Sequence, residues 1–275
     1  MKRAKQTFEM NLQGRKVMET EHCTAAREGH LLIVTINRPD RMNALHPPAN
    51  FELEKIFNDF AADPELWVAI ITGAGDRAFS AGNDLRWQAE GNKLEVPKTG
   101  FAGLTARYDL NKPVIAAVNG VAMGGGFEIA LACDLIIASD KAVFALPEPH
   151  VGLAALAGGL HRLPRQIGTK QAMGMILTGR RVGAEEGKQL GFVNEVVPAA
   201  DLMDAAKRWA GLIMECSPMS IRASKESVYK GLDEANLQKA IDGKYPAVAA
   251  LFKSEDLIEG PRAFAEKRKP KWTGK

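Results

Sequence analysis

A strand that runs into three consecutive glycines and out into a helix leaves few ways to arrange the chain around it. Residues 113–118, Pro-Val-Ile-Ala-Ala-Val, are apolar and rich in β-branched side chains, and so read as a buried strand. After Asn119-Gly120 come Gly124, Gly125 and Gly126, then Phe127-Glu128-Ile129-Ala130-Leu131-Ala132-Cys133, which reads as a helix. Without Cβ atoms the triplet lets backbone N–H groups approach a ligand closely. The first N–H groups of a helix have no partner within it and carry partial positive charge. Such a loop can hold an oxygen that gains negative charge during a reaction. Glu128 falls in the first turn of that helix. Twenty residues further on, Pro147-Glu148-Pro149 supplies a second carboxylate. The prolines stiffen that segment, and Pro149 predicts extended backbone at Glu148.

With 275 residues, 46% hydrophobic and 25% charged, the chain is long enough for one large soluble core with an appendage. Thirty-six basic and 33 acidic residues leave a net charge of +3, too balanced to imply a nucleic-acid partner. The basic cluster Lys267-Arg268-Lys269-Pro270-Lys271 suits a solvated tail as well as a phosphate contact. Cys23, Cys133 and Cys216 are widely spaced, which fits neither a disulfide framework nor a metal site, and Cys133 belongs to the core. The most apolar region, 113–137, is interrupted by Asn119, the glycines, Glu128 and Asp134, so no membrane span is expected. No apolar stretch follows the basic start of the chain, and a cytoplasmic location is expected. Residues 1–22 read as a flexible N-terminal extension, polar over its first 17 residues.

Strands are predicted at 31–36, 67–72, 113–118, 134–139 and 193–197, and helices at 47–62, 127–133, 168–177 and 184–190. Residues 88–100 read as a polar loop, and everything from Asp201 onward as helical. Strands alternating with helices give an α/β fold, with a core over 23–215 and a helical region over 216–275.

Each motif also has a plain structural explanation. Gly73-Ala74-Gly75-Asp76-Arg77-Ala78 meets a loose dinucleotide-binding pattern, but a turn-like segment at 79–84 follows it instead of a helix, so it reads as the end of a strand. Glu128 could be there only because an acid in a first helical turn gains about 0.3–1 kcal/mol. Glu148 alone could be an exposed loop residue. His150 lies close enough to line a site, though nothing in its spacing marks it as a ligand. If buried beside Phe127 and Ile129, Glu128 would have a raised pKa.

Taken together, Phe79-Ser80-Ala81-Gly82-Asn83-Asp84-Leu85, Lys112-Pro113 to Asn119-Gly120, Gly124-Gly125-Gly126-Phe127-Glu128 and Pro147-Glu148 resemble the enoyl-CoA hydratase/isomerase (crotonase) family. Their order and spacing match, and the similarity runs from about residue 30 to the end. The resemblance implies a crotonase-like spiral of β-β-α turns with a helical C-terminal trimerisation region, the trimers often pairing into hexamers. It implies an oxyanion hole made by the backbone N–H groups of Asn83 and Gly125. It makes Glu128 and Glu148 the catalytic pair that adds water to a 2-enoyl-CoA thioester or removes it from the 3-hydroxyacyl-CoA. Coenzyme A then enters as part of the substrate, with no tightly bound cofactor and no metal. Its path is expected along Arg41, Met42 and Ala44, with Ala81, Gly82, Asp84, Leu85, Gly124 and Pro147.

Further segments, Phe101–Thr105, Phe144–Glu148, Thr178–Glu186 and Ser254–Arg268, point to a subgroup acting on a short or polar acyl group. For a trimethylammonium group, Trp87 or Glu90 could supply the aromatic face or carboxylate. The chain departs from the family pattern at Asn83, where an apolar or aromatic residue is common, and at Gly152–Ala155, where a proline is often found. Double-bond isomerisation is the nearest alternative, and it needs one dominant acid/base and no water. A non-catalytic acyl-CoA-binding or scaffold protein is the alternative of another class, and it would be free to lose either glutamate.

Overall fold

The computed structural model describes residues 9–10 and 16–275. The chain begins with β1 (Glu9–Met10), β2 (Lys16–Glu19), β3 (Cys23–Glu28) and β4 (Leu31–Ile36), followed by α1 (Pro47–Ala62), β5 (Val68–Gly73), β6 (Ala78–Ser80) and α2 (Leu85–Ala89). Then come β7 (Val114–Val118), β8 (Val121–Met123), α3 (Gly125–Ala132), β9 (Leu135–Ser139), β10 (Val143–Ala145), α4 (Gly159–Ile167) and α5 (Thr169–Thr178). The rest is β11 (Val182–Gly183), α6 (Ala184–Leu190), β12 (Glu195–Val197), α7 (Leu202–Met214), α8 (Pro218–Gly231), α9 (Leu237–Ile241), α10 (Pro246–Leu251) and α11 (Asp256–Ala265).

Two sheets organise these elements. The larger has the order β1-β2-β3-β4-β5-β7-β9-β12 and the smaller β11-β10-β8-β6. From β4 to β12 the large sheet is parallel, and β6, β8 and β10 are parallel in the small one. The pairs β5–β6, β7–β8 and β9–β10 each send one strand to the large sheet and the next to the small sheet. This repeat is the spiral of the α/β expectation, and it stacks the loops that follow the small-sheet strands.

Both faces of the large sheet are covered, which is why its strands are apolar throughout. Ala69 and Ile71 of β5 pack into the main core, while Val68 and Ile70 face α7. The same alternation separates Val114, Ala116 and Val118 of β7 from Ile115 and Ala117. Ala205, Ala206 and Ala210 let α7 lie close to that second face. Cys133 is buried in the main core, as expected.

Three sequence expectations are corrected, and one helix appears where none is predicted. Lys16–Glu19 pairs antiparallel with β3, so the sheet reaches into the segment 1–22 read as an extension, of which 1–8 and 11–15 lie outside the described residues. Phe79 and Ser80, read as turn, belong to β6, a three-residue strand with a register shift that leaves no period to read. Gly159–Ile167 is helical although Pro164 lies inside it. Glu148 is not extended but opens a 3-10 turn, Glu148–Val151. Pro149 is tolerated in that first turn because its missing N–H would have had no partner there.

Candidate active site

β8 delivers the chain to Gly124, whose N–H donates to the Ala145 carbonyl of β10 at 2.9 Å. Gly124 has φ 53° and ψ −125°, and α3 starts at the next residue. Across from it, Leu45 N–H donates to the Gly82 carbonyl (2.7 Å) and Asp84 N–H to the Leu45 carbonyl (3.0 Å), which turns the N–H of Asn83 to the opposite side. Gly82 has φ +86°, and a Cβ there would stand 2.8 Å from the Gly125 nitrogen. The Gly82–Asn83 peptide and the start of α3 therefore lie in contact. Among the described residues, neither Asn83 N–H nor Gly125 N–H has a hydrogen-bond partner in the protein. Behind Gly125 stands the Phe101 ring, 2.6 Å from where a Cβ would be.

Glu128 is buried in the first turn of α3. Burial pushes its carboxyl up to about 7, and the nearby charge of Glu148 adds to the rise. The Gly159 N–H, 2.8 Å from Oε1, the Ala157 N–H and Arg162 act in the opposite direction. The helix start also favours the ionised form, so desolvation outweighs every group stabilising the anion. Glu148 is half-buried, and burial raises its carboxyl too. Its Oε1 lies 2.9 Å from where a Cβ of Gly124 would stand, and its Oε2 is buried without a partner. Two carboxyls with raised pKa values thus flank a loop with an unused N–H donor.

The segment holding Arg41, Met42 and Ala44 runs beside 80–84. Ala81 N–H donates to the Met42 carbonyl at 2.9 Å, and the Ser80 hydroxyl to the Asn43 carbonyl at 2.8 Å. Arg41 and Leu85 are exposed, Ala81 and Pro147 half-buried, and Ala44 and Gly82 buried. The Asp84 side chain is already engaged within the protein. Although burial opposes its charge, the Trp87 N–H (3.3 Å) and Arg38 (3.0 Å) hold its carboxyl below the usual range. It caps α2 and anchors that helix to the 38–45 segment. The Asn83 amide donates to Gln88 Oε1 at 3.3 Å.

His150 is exposed, and its Nε2 donates to the Thr178 carbonyl at 2.7 Å, so it fastens the Glu148 turn to the end of α5. His46, with no signal in the sequence, is buried against Trp87 at 4.9 Å between ring centroids. Burial, with Arg38 and His22, pushes it down to about 4, so it is neutral near pH 7. In the basic tail, Arg268 is held by Glu259 (2.6 and 2.9 Å) and Glu266 (2.6 Å), while Lys267, Lys269 and Lys271 are exposed.

The sequence profile of the enoyl-CoA hydratase/isomerase family matches residues 26–275. The chain belongs to the enoyl-CoA hydratase/isomerase family. It is 46% identical over 263 residues to carnitinyl-CoA dehydratase of Escherichia coli K12, covering 94% of this chain and 99% of that relative. The crystal structure of an enoyl-CoA hydratase from Mycobacterium tuberculosis H37Rv superposes with a TM-score of 0.87 at 36% identity, covering 93% of this chain and all (100%) of the other. That of a carnitinyl-CoA hydratase from Mycobacterium avium gives 0.74 at 39% identity, covering 94% of this chain and 100% of the other. The family likeness of the sequence motifs is thereby established, as is the spiral fold.

Two groups at this candidate site carry no sequence signal that marks them as part of it. Phe101 was visible only as part of a family-like segment, with no hint that its ring backs Gly125. The Gly158-Gly159 pair supplies the N–H on Glu128, and its one available signal was a glycine pair just ahead of the amphipathic run 160–167.

Proposed function

We propose that the chain adds water to a short, polar 2-enoyl-CoA thioester, or removes it from the corresponding 3-hydroxyacyl-CoA, with crotonobetainyl-CoA as the leading substrate. The observation that carries this reading is the pair of carboxyls, both with raised pKa values, beside the unused N–H groups of Gly125 and Asn83. The thioester oxygen accepts from those two N–H groups, which stabilise the enolate. Losing one donor of such a hole typically costs about 2.7–4 kcal/mol. Glu128 and Glu148 hold a water at the β-carbon. Its oxygen bonds to that carbon, its proton enters the carboxyl pair, and Glu148 delivers a proton to the α-carbon. A carboxyl titrating near 7 suits both giving and taking a proton at neutral pH. Two neighbouring carboxyls also resist ionising together, so one of them carries the proton.

Isomerisation would leave the second carboxyl without a task, and a scaffold would leave both without one. The likeness to carnitinyl-CoA dehydratase supports the polar acyl group. Trp87, half-buried on α2, and the exposed Glu90 are the groups proposed to face a trimethylammonium cation. Coenzyme A follows the 41–45 segment, and the protein works in the cytoplasm as a trimer or a pair of trimers. Among the described residues no helix is long and apolar enough to cross a membrane. Comparing kcat/KM for crotonobetainyl-CoA, crotonyl-CoA and a long-chain enoyl-CoA tests the substrate. The betaine is expected to lead. Preference for crotonyl-CoA rejects the carnitine-type substrate, and preference for the long chain rejects a short pocket altogether.

A further inference from the structure

We propose that Arg162 is a positioning residue for this reaction, fixing the turn that holds Glu128 and the wall behind Gly125 in one frame. The inference rests on the reading of Glu128 given above. Arg162 lies one turn into α4, half-buried. Its Nη2 donates to the Thr105 carbonyl at 2.9 Å. Its own N–H donates to the Gly158 carbonyl at 2.8 Å. The guanidinium folds back over Gly158, with Nη1 only 2.1 Å from where a Cβ would stand, and Gly158 has φ +111°. A side chain at Gly158 would strain the backbone at that φ and push the guanidinium aside. The next residue, Gly159, donates its N–H to Glu128.

The same guanidinium reaches the other half of the site through Thr105. The Thr105 hydroxyl accepts from Phe101 N–H at 2.8 Å, and Thr105 N–H donates to the Phe101 carbonyl at 3.2 Å. Phe101 is the ring against Gly125. One side chain therefore links the Gly158–Gly159 turn, which orients the acid/base, to the loop that backs a proposed oxyanion donor. Arg162 pairs with no carboxylate among the described residues, so its charge is not neutralised locally. Around Glu128 the charged groups are Glu148, from the 3-10 turn, and Arg162, from α4, with the N–H groups of Gly159 and Ala157 beside them. Arg162 is the cation of that set and draws the Glu128 carboxyl down.

The test is steady-state kinetics against pH for the full-length wild type, Arg162→Met, Arg162→Lys, Glu128→Gln and the double variant Arg162→Met/Glu128→Gln, using crotonobetainyl-CoA. Arg162→Met is expected to lower kcat at least about tenfold while KM changes less than about threefold, as for a displaced catalytic group. The pH limb assigned to Glu128 should move upward by about half a unit, because a stabilising positive charge is gone. Arg162→Lys should restore that limb but only part of kcat, since an ammonium lacks the planar fork. In the Glu128→Gln background most of the Arg162→Met loss should vanish. An equal loss in both backgrounds with an unmoved pH limb would mean a merely structural arginine and overturns the proposal, as does wild-type kcat in Arg162→Met. If Arg162→Met does not fold, Arg162→Gln takes its place, with the same changes expected and the same results overturning the proposal. Near-normal turnover of Glu128→Gln by itself overturns the Glu128 reading instead, so the two failures are distinguishable.

Discussion

Burial works against the charge on Glu128 more strongly than the helix start and the Gly159 N–H work for it, and this has a consequence for stability. With the folded carboxyl at about 7 and the ordinary value 4.5, the folded chain keeps between those pH values a proton that the unfolded chain has lost. Stability from this group is therefore present in full below 4.5, falls as pH rises through the window, and is level above 7. Glu128→Gln is expected to raise Tm more at pH 8 than at pH 5, measured by calorimetry, and an equal change at both would contradict the buried-acid description. A second residue-scale expectation concerns Gly82. Its φ of +86° and its contact with the Gly125 nitrogen leave no room for a methyl group. Gly82→Ala should destabilise by about 1–3 kcal/mol in urea unfolding, with a disproportionate fall in kcat. Glu128, Glu148 and the glycine triplet were legible in the sequence because chemistry and spacing mark them locally. The Gly159 N–H was not, since its meeting with Glu128 spans 31 residues and leaves no local pattern.

Most long elements are readable in the sequence, while of the three-residue strands only β12 falls within a predicted strand. The buried strands β5, β7 and β9 are long enough to stand out as continuous apolar runs, and the helices α1, α7 and α8 carry enough residues for a period to show. The three-residue strands β6, β8 and β10 do not, although together they carry the loops that make the site. The Phe101 loop shows what such short pieces do. Gly100, Ala102 and Gly103 all have positive φ, and the loop is pinned by Asn50 Oδ1, which accepts from Ala102 N–H at 2.7 Å. That packing places the ring against Gly125. Phe101→Ala should cost about 3–5 kcal/mol, read from urea unfolding. It should also lower kcat about tenfold or more, as the donor loses its backing. Unchanged kcat would separate the loop from the site.

At the scale of the whole molecule, the spiral stacks the loops after β6, β8 and β10, so segments about 40 residues apart in sequence, such as Asn83 and Gly125, meet at one place. The helical region after 216 is built differently. Asp256 accepts from the Ser217 hydroxyl (2.8 Å) and from the N–H groups of Thr273 (2.9 Å) and Gly274 (3.2 Å), which ties the chain end back onto α8 and α11. Yet Leu237, Ile241 and Phe264 remain 75%, 72% and 87% exposed. These side chains are expected to be covered in a trimer, so sedimentation equilibrium should give three or six chains, and a monomer would contradict the proposed assembly. Both glutamates are proposed to move protons during water addition. The most direct measurement follows the enoyl-thioester absorbance of crotonobetainyl-CoA with the wild type, Glu128→Gln and Glu148→Gln. Loss of the band is expected with the wild type, and a fall of at least about 10²-fold in kcat for each variant, with thioester binding retained. Near-wild-type turnover in either variant, or a band that the wild type leaves unchanged, would contradict that proposal.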